Sequence, residues 1–249
     1  MTRLVAHIWR HPIKSHGREA LERVTLTQGS TMPWDRVWAV AHEQARTDGS
    51  NWAPRANFSR GSKAPALMAI SARLDETERQ ITLTHPDRSP ITFRPDDDPA
   101  EFLAWVRPLM PADRAASARI VSVPNRGMTD TDYPSISLVN TASNQAVAQH
   151  LGQDLSMRRW RGNFCIDGLA PWQEFEWIGK RLRIGSVVLM VRERIVRCLA
   201  AAANPDTGYR DADTLGALKH GWGHTDFGVY AEVMSSGDVA LGDRIEVIM

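Results

Sequence analysis

Short runs of alternating apolar and polar residues, broken every few positions by glycine, proline or aspartate, dominate the first third of the chain. Leu4–Trp9, Leu21–Leu26, Val37–His42, Leu67–Ala72, Gln80–Thr84 and Ile91–Phe93 are rich in β-branched and aromatic residues, and this patterning predicts strands. Gly29, Pro33, Asp48-Gly49, Gly61 and Asp87 with Pro90 separate them. Strands this short and closely spaced favour a sandwich or barrel over a parallel sheet with helices. The period then changes. Asp97-Asp98-Pro99 ahead of Ala100–Val106 has the proline and first-turn acid of a helix start, and this helix is expected to separate two subdomains. A second helix is predicted over Thr141–Leu151, with Thr141 or Ser143 as cap and Gly152 as stop. Strands return at Asn163–Asp167, Arg181–Ile184, Val187–Val191, Ile195–Leu199, Phe227–Val233 and Arg244–Ile248. The expected fold is mainly β, a β-barrel with a few helices, with a β-rich subdomain over residues 1–110 and a second barrel over 111–249.

Composition narrows the function classes. With 249 residues and 43% hydrophobic content the chain can bury one large core or two linked ones, and one body with two subdomains is expected. Lys+Arg 30 against Asp+Glu 29 gives a net charge of +1, which argues against nucleic acid or a membrane surface as partner and makes any anion binding local. The N-terminus has too short an apolar run for a secretory segment, and no stretch approaches the roughly 20 apolar residues of a membrane span. A soluble, cytoplasmic protein is expected. Two cysteines agree with a reducing compartment and are too few for a thiolate-rich iron–sulfur or structural zinc site, so electrons for any redox work must arrive from a separate protein.

Four constellations carry candidate chemistry. His11-Pro12-Ile13-Lys14-Ser15, directly after the first strand, presents an ammonium and a hydroxyl that suit a phosphate or carboxylate, or else forms a solvated loop. Trp34-Asp35-Arg36 opens the strand at Val37 and by itself reads as an ion pair. In Met157-Arg158-Arg159-Trp160-Arg161-Gly162-Asn163, an extended backbone would put Arg159 and Arg161 on one face, where two guanidiniums repel unless an anion or carboxylates lie between them. Gly162 lets a ligand approach the backbone and Asn163 offers a donor and an acceptor; a solvent-facing basic strand is the competing reading.

The fourth is Arg194-Ile195-Val196-Arg197-Cys198, ahead of the turn Asn204-Pro205-Asp206-Thr207-Gly208. Cys198 is either a reactive or metal-binding thiol or an inert buried one, and Cys165, between Phe164 and Ile166, reads as the inert kind. In an extended segment Arg197 faces away from Cys198 while Arg194 shares its side, so Arg194 is expected to favour the thiolate more. His220 and His224 are four apart, but the glycines between them argue against a helix and a metal site, and a mobile loop bordering a pocket is expected. No phosphate-binding loop, GxGxxG or GxSxG element occurs.

In order along the chain, these elements resemble the MOSC family, named for the C-terminal domain of molybdenum cofactor sulfurase, in its branch with an N-terminal β-barrel subdomain. That branch includes the mitochondrial amidoxime-reducing component and bacterial relatives. His11–Ser15 looks like the family's Tyr-Pro-Val-Lys-Ser element, Asp35-Arg36 its Asp-Arg pair and Trp160–Asn163 its Phe-Arg-Pro-Asn element. Pro171–Trp177, Ile184-Gly185, Arg197-Cys198, Pro205–Gly208, Phe227–Tyr230 and Gly242-Asp243 follow in the family's order. The resemblance implies that Cys198 ligates molybdenum of a pterin cofactor, that Lys14, Ser15, Arg36, Arg161 and Asn163 hold its phosphate and pterin, and that Asp132 accepts from pterin nitrogens, with Arg159 and Arg197 as further contributors. Ala201 and Ala202 stand where the family often has threonines, Phe175 replaces a common acid, and His220–His224 has no counterpart. The implied activity is reduction of N-hydroxylated or N-oxide small molecules, with an external flavin or iron–sulfur protein as electron donor. The alternative is a carrier of the cofactor or of sulfane sulfur on Cys198.

Overall fold

Val5 and Ile8 both face the interior although they are three apart, because the first strand carries a bulge between Val5 and His7 that resets its two-residue alternation. The computed structural model describes residues 2–97 and 99–248; Asp98, assigned by sequence to a helix start, lies outside them. Strands run as β1 (Leu4–Arg10), β2 (Glu19–Leu21), β3 (Arg23–Leu26), β4 (Trp38–His42), β5 (Ser71–Asp75), β6 (Gln80–His85), β7 (Arg88–Phe93) and β8 (Ser117–Ser122). They continue as β9 (Ile136–Asn140), β10 (Phe164–Asp167), β11 (Arg181–Ile184), β12 (Val187–Val196), β13 (Asp226–Ser235), β14 (Gly237–Ala240) and β15 (Ile245–Ile248). The helices are α1 (Ala100–Val106), α2 (Thr141–Leu151) and α3 (Thr214–Trp222).

The protein is mainly β, and its largest unit is an eight-stranded curled sheet in the order β15-β11-β12-β13-β9-β10-β1-β2. The sheet bends back on itself: Val5 N–H donates to the Asp243 carbonyl at 3.0 Å and Ile245 N–H to that of Arg3 at 3.0 Å, so the chain entering edge strand β15 meets β1. Closing a sheet in this way removes an exposed edge. Val5, Ile8, Leu138, Phe164, Leu182, Leu189 and Val229 fill the interior. The ribbon β3–β14 adds Val24, Leu26 and Val239 to the same core. One pair, β9 with β10, is parallel, joined by α2 on the outer face. β9 is therefore buried on both sides: Leu138 packs inside, and Val139 packs outward with Val147, Trp160, Leu218 and Phe227.

The remaining strands form a second core. β4 pairs with β8, β5-β6-β7 form a three-stranded sheet, and α1 seals Ile13, Trp38, Leu67, Ile81, Phe93 and Phe102. β1 and β2 belong to the large sheet and β3 pairs with β14, so the first three strands are woven into the larger unit, while Ile13 between β1 and β2 packs into the smaller core.

Several local expectations change. Pro65 starts a 3-10 turn over Pro65–Ala69, and β5 begins only at Ser71, because proline's fixed φ favours the first position of a helical turn. The two strands expected at Val187–Val191 and Ile195–Leu199 are one, β12, which ends at Val196; Cys198 caps a 3-10 turn over Leu199–Ala202. Asn140, not Thr141 or Ser143, caps α2, its Oδ1 accepting from Ala142 N–H at 2.9 Å, while Gly152 ends the helix at φ 66°. His220, Gly221 and Trp222 are helical in α3, whose cap is Asp213, and the stop is Gly223. The expected loop is a helix, because a capped start and packing of Ala217 and Leu218 outweigh two glycines.

Candidate functional site

Lys14 is carried off the end of β1 by a tight turn in which His16 N–H donates to the Ile13 carbonyl at 3.0 Å. Its ammonium donates to the Met128 carbonyl at 2.7 Å and to Asp130 Oδ1 at 2.5 Å. Burial lowers the Lys14 pKa, and Asp130 offsets only part of that fall. Burial alone would raise the Asp130 carboxyl, but the Lys14 charge and bond pull it down to about 2, so Asp130 is a carboxylate at neutral pH. Asp130 is thus the acid at this site, and the expected Asp132 is not. Asp132 is exposed, and its carbonyl accepts from Arg126 at 2.7 Å.

Arg36 is set by the buried Asp35, which accepts from the Arg36 guanidinium, from His11 N–H at 2.8 Å and contacts His11 Nδ1 at 3.2 Å. Burial opposes the Arg36 charge, yet Asp35, together with Asp130 and Tyr230, outweighs it and raises the pKa. The Arg36 backbone is fixed at both ends, its N–H donating to the His11 carbonyl at 2.7 Å and its carbonyl accepting from Met128 N–H at 2.7 Å.

The basic segment is not extended. Ser156 caps a 3-10 turn over Met157–Trp160, and Arg161 follows at φ 49°. Arg159 and Arg161 therefore do not share a strand face. Arg159 is buried and paired with Asp211 at 2.7 Å, whereas Arg161 has no ion pair among the described residues. One Arg161 amine donates to the Gly17 carbonyl at 3.2 Å, and its Nη1 is buried without a partner. Burial, then the charges of Arg36 and Arg18, lower its pKa to about 9, so it remains a cation at neutral pH.

Asn163 is spent on structure. Its Oδ1 accepts from Ser137 N–H at 3.0 Å and Oγ at 2.7 Å, and its amide donates to the Trp9 carbonyl at 3.2 Å, tying β9 and β1 to the chain entering β10. It does not line the main cavity but a small recess beside it, whose lining includes Arg36, Asp130 and Tyr230 of the cavity wall.

Cys198 is exposed and lines the same cavity as Lys14, Ser15, Arg36 and Arg161, a hollow of about 410 Å³. Arg197 lines it as well, and Arg194 does not. Because β12 ends before Cys198, strand alternation no longer governs the thiol: Arg194 stacks 4.3 Å from the Phe175 ring centroid and pairs with Asp226 at 3.7 Å, away from the sulfur. Arg197 donates from Nε to the Phe227 carbonyl at 2.8 Å and from Nη1 to that of Trp160 at 2.6 Å.

The N-terminal segment adds residues that no sequence motif had marked. Arg55, Arg60 and Lys63 line the cavity, bringing its cations to eight with Lys14, Arg36, Arg159, Arg161 and Arg197, against one carboxylate, Asp130. The available signal was a run of basic residues amid Pro54, Gly61, Ser62 and Pro65 between two strands. Tyr230 also lines the cavity; burial, then Asp130, pushes its phenol up to about 12, so it stays a neutral donor. Among the described residues, three of the seven non-glycine residues with positive φ, Ser15, Arg36 and Arg161, sit on this wall. Such backbone strain concentrates where surrounding structure holds a ligand site in place.

The cavity fits an anionic group that a thiolate can ligate. An orphaned buried Nη1 on Arg161 and cations far in excess of acids call for phosphate oxygens, and an exposed thiol shares the same space. Among the described residues no three His, Cys, Asp or Glu side chains gather as a metal site, so a metal at Cys198 would draw other ligands from outside the chain. His224 lies elsewhere, 5.2 Å from the Trp172 ring, and does not border the cavity.

A family model described as "MOSC N-terminal beta barrel domain" matches residues 2–117, and one described as "MOSC domain" matches 127–246. Two curated relatives, each named molybdenum cofactor sulfurase, are 33% identical: that of Drosophila grimshawi over 131 residues, 47% of this chain, and that of Caenorhabditis briggsae over 84 residues, 33% of this chain. The alignments span 17% and 12% of those proteins. The crystal structure of YuaD from Bacillus subtilis superposes with a TM-score of 0.50 at 15% identity, covering 99% of this chain and 96% of that one. No helix of the described residues is long and apolar enough to cross a membrane.

Proposed function

Because the chain belongs to the MOSC family, with the N-terminal β-barrel domain ahead of the MOSC domain, we propose that it is a molybdenum-cofactor-dependent oxidoreductase. Its substrates are N-hydroxylated or N-oxide compounds such as amidoximes and hydroxylamino bases, and its electrons come from a separate flavin or iron–sulfur protein. The observation that carries this reading is the open thiol of Cys198 in one cavity with a strongly cationic wall.

Cys198 would hold the metal, and Lys14, Ser15, Arg36 and Arg161 would hold the phosphate and pterin, with Asp130 in the acceptor role first assigned to Asp132. When bound, the cofactor supplies the two-electron chemistry by which an N–O bond is cleaved. Overall, two electrons and two protons enter and water leaves. The chain's part is to bind, orient and supply polar contacts. Arg161 offers a planar fork to an anion, Arg36, held by Asp35 and the Arg161 carbonyl, adds positive charge beside it, Tyr230 presents a hydroxyl whose proton is retained at neutral pH, and Ile195 and Ala201 form apolar wall.

The test is expression in a host that makes the cofactor, then molybdenum quantification and benzamidoxime reduction with an artificial donor, for wild type and Cys198→Ala. Near-stoichiometric metal and turnover in the wild type, both lost in the variant, are expected; undiminished metal and N-reduction in the variant refute the reading. The names of the curated relatives favour one other reading, a carrier that bears sulfane sulfur on Cys198. Sulfide released by reductant from metal-free wild type but not from Cys198→Ala, without N-reduction, would select it.

A further inference from the structure

Apart from Arg161, which is buried without an acid partner, the cations of the cavity fall into two groups. Lys14 and Arg159 are buried and paired with acids, Arg36 is held by Asp35, and Arg197 is committed to carbonyls. Arg55, Arg60 and Lys63 are different. Arg55 and Lys63 are exposed, Arg60 is half-buried, and none of the three forms an ion pair or a side-chain hydrogen bond among the described residues. They come from the 54–64 segment, which reaches the thiol's own turn: a Cβ on Gly61 would lie 3.5 Å from that of Ala200 and only 2.6 Å from Met68 Sδ.

This segment is held in shape. Lys63 and Ala64 N–H groups both donate to the Arg60 carbonyl at 3.0 Å, and Arg210 donates to the Ser62 carbonyl at 2.9 Å. Arg55 is near enough to Asp130 and Tyr230 for its charge to act on both. Beside these cations stand two large exposed apolar side chains, Val196 at 65% and Leu199 at 48% exposure, flanking the Arg197-Cys198 step. The rim around the sulfur thus combines fixed, uncompensated positive charge with apolar surface.

We propose that Arg55, Arg60 and Lys63 form a substrate-selecting rim that favours molecules bearing a carboxylate or phosphate on the same apolar body as the reducible N–O group. This rests on the reductase reading. Val196 and Leu199 take the apolar body, and the rim cations take the anion while the N–O group points toward Cys198. Partly exposed ion pairs of this kind each contribute modestly, so two or three together amount to roughly a fivefold to thirtyfold preference, expressed mainly in KM and weakened by salt.

The test compares kcat/KM for benzamidoxime, 4-carboxybenzamidoxime and its neutral 4-carbamoyl analogue, using holoenzyme of wild type and R60Q/K63Q; a hydroxylaminopurine and its ribonucleoside 5′-monophosphate repeat the comparison with phosphate. In the wild type the anionic member of each set is expected to lead by about fivefold or more, and in the variant the ratio falls toward unity. A preference for carboxylate alone or phosphate alone identifies the source of the anion. Equal kcat/KM across both wild-type sets, or a ratio the variant leaves intact, overturns the rim. Calorimetric binding of the non-reducible 4-carbamoylbenzoate, against neutral benzene-1,4-dicarboxamide, is read in parallel. Tighter, salt-sensitive binding of the anion that R60Q/K63Q abolishes supports the rim even if no substrate is reduced, in which case the reductase reading fails by itself. No difference between the two ligands overturns the rim whatever the turnover.

Discussion

Arg161 should cost the empty protein stability and give it anion affinity, two effects of opposite sign that one substitution separates. The side chain is buried, has no acid partner, leaves Nη1 unbonded and makes a single 3.2 Å bond to the Gly17 carbonyl. Its pKa falls from the ordinary arginine value to about 9, so the folded state holds this proton more weakly than the unfolded chain does. The penalty is therefore fully present below about pH 9 and is relieved only as pH rises through that value. A shift of this size corresponds to a few kcal/mol. Arg161→Met removes the charge with little change in length, keeps an unbranched side chain at φ 49°, and forfeits one hydrogen bond of about 1 kcal/mol. A net gain of about 2 kcal/mol raises Tm by roughly 4–8 °C for a chain of this size. The same variant loses a charge-assisted donor worth about 1.5–3 kcal/mol to an anion, tenfold to a hundredfold in Kd. Scanning calorimetry of cofactor-free protein at neutral pH, with and without pyrophosphate, reads both. A lower Tm in Arg161→Met without ligand, or an unchanged pyrophosphate-induced rise, would refute the reasoning.

Two further outcomes follow from the same geometry. Gly162→Ala puts a Cβ 2.6 Å from Val139 Cγ2 in a strand buried on both faces; such overpacking costs about 1–3 kcal/mol, read as a denaturation midpoint shift at constant m, and an unshifted midpoint would show that β9 yields freely. His11 and His16 are held neutral, chiefly by burial, with pKa values lowered to about 3 and about 4. The unfolded chain binds these protons at the ordinary value of 6.5, so stability is complete above that pH and declines as pH falls toward 4 and then 3. His16→Asn, which can still donate to the Lys14 carbonyl, should flatten this acid limb; the same Tm–pH slope in wild type and variant would exclude His16 as its source.

Local chemistry was legible where it depends on neighbours in sequence. Lys14, Ser15, Arg36, Arg161 and Cys198 lie in short elements whose residue types point to an anion and a soft ligand, and the cavity brings all five together. Asp130 was not legible, because Asp130 and Asp132 alternate along one segment and only the fold, across 116 positions, turns the former toward Lys14. The rim escaped for a related reason. Arg55, Arg60 and Lys63 lie in a loop without periodicity, and nothing local records that Gly61 abuts Ala200. Arg159 and Arg161 diverge because the backbone between them is a 3-10 turn and not the extended segment that strand alternation requires. Ser156, whose Oγ accepts from Arg158 N–H at 3.3 Å, is the cap that should have suggested a turn. Asn163 shows the reverse: its chemistry suits a ligand, but the need to satisfy three strands absorbs it.

Arg197 lines the cavity beside the thiol, and its guanidinium is engaged by the protein's own carbonyls. Its guanidinium donates to the carbonyls of Phe227, at the start of β13, and Trp160, at the end of the turn that delivers Arg161. The centre of its fork lies 5.8 Å and 5.7 Å from the rings of those two residues, which stack on each other at 3.7 Å. Arg197 immediately precedes Cys198, so these bonds couple the position of the sulfur to that of the Arg161 guanidinium. Freeing the fork to grip an anion would leave two carbonyls, those of Phe227 and Trp160, without their charged donor. A site holding both ends of one ligand gains affinity from a fixed separation between its contacts. On the proposed reading, Arg197 would supply that separation, and Arg161, which has no acid partner among the described residues, would supply the charge.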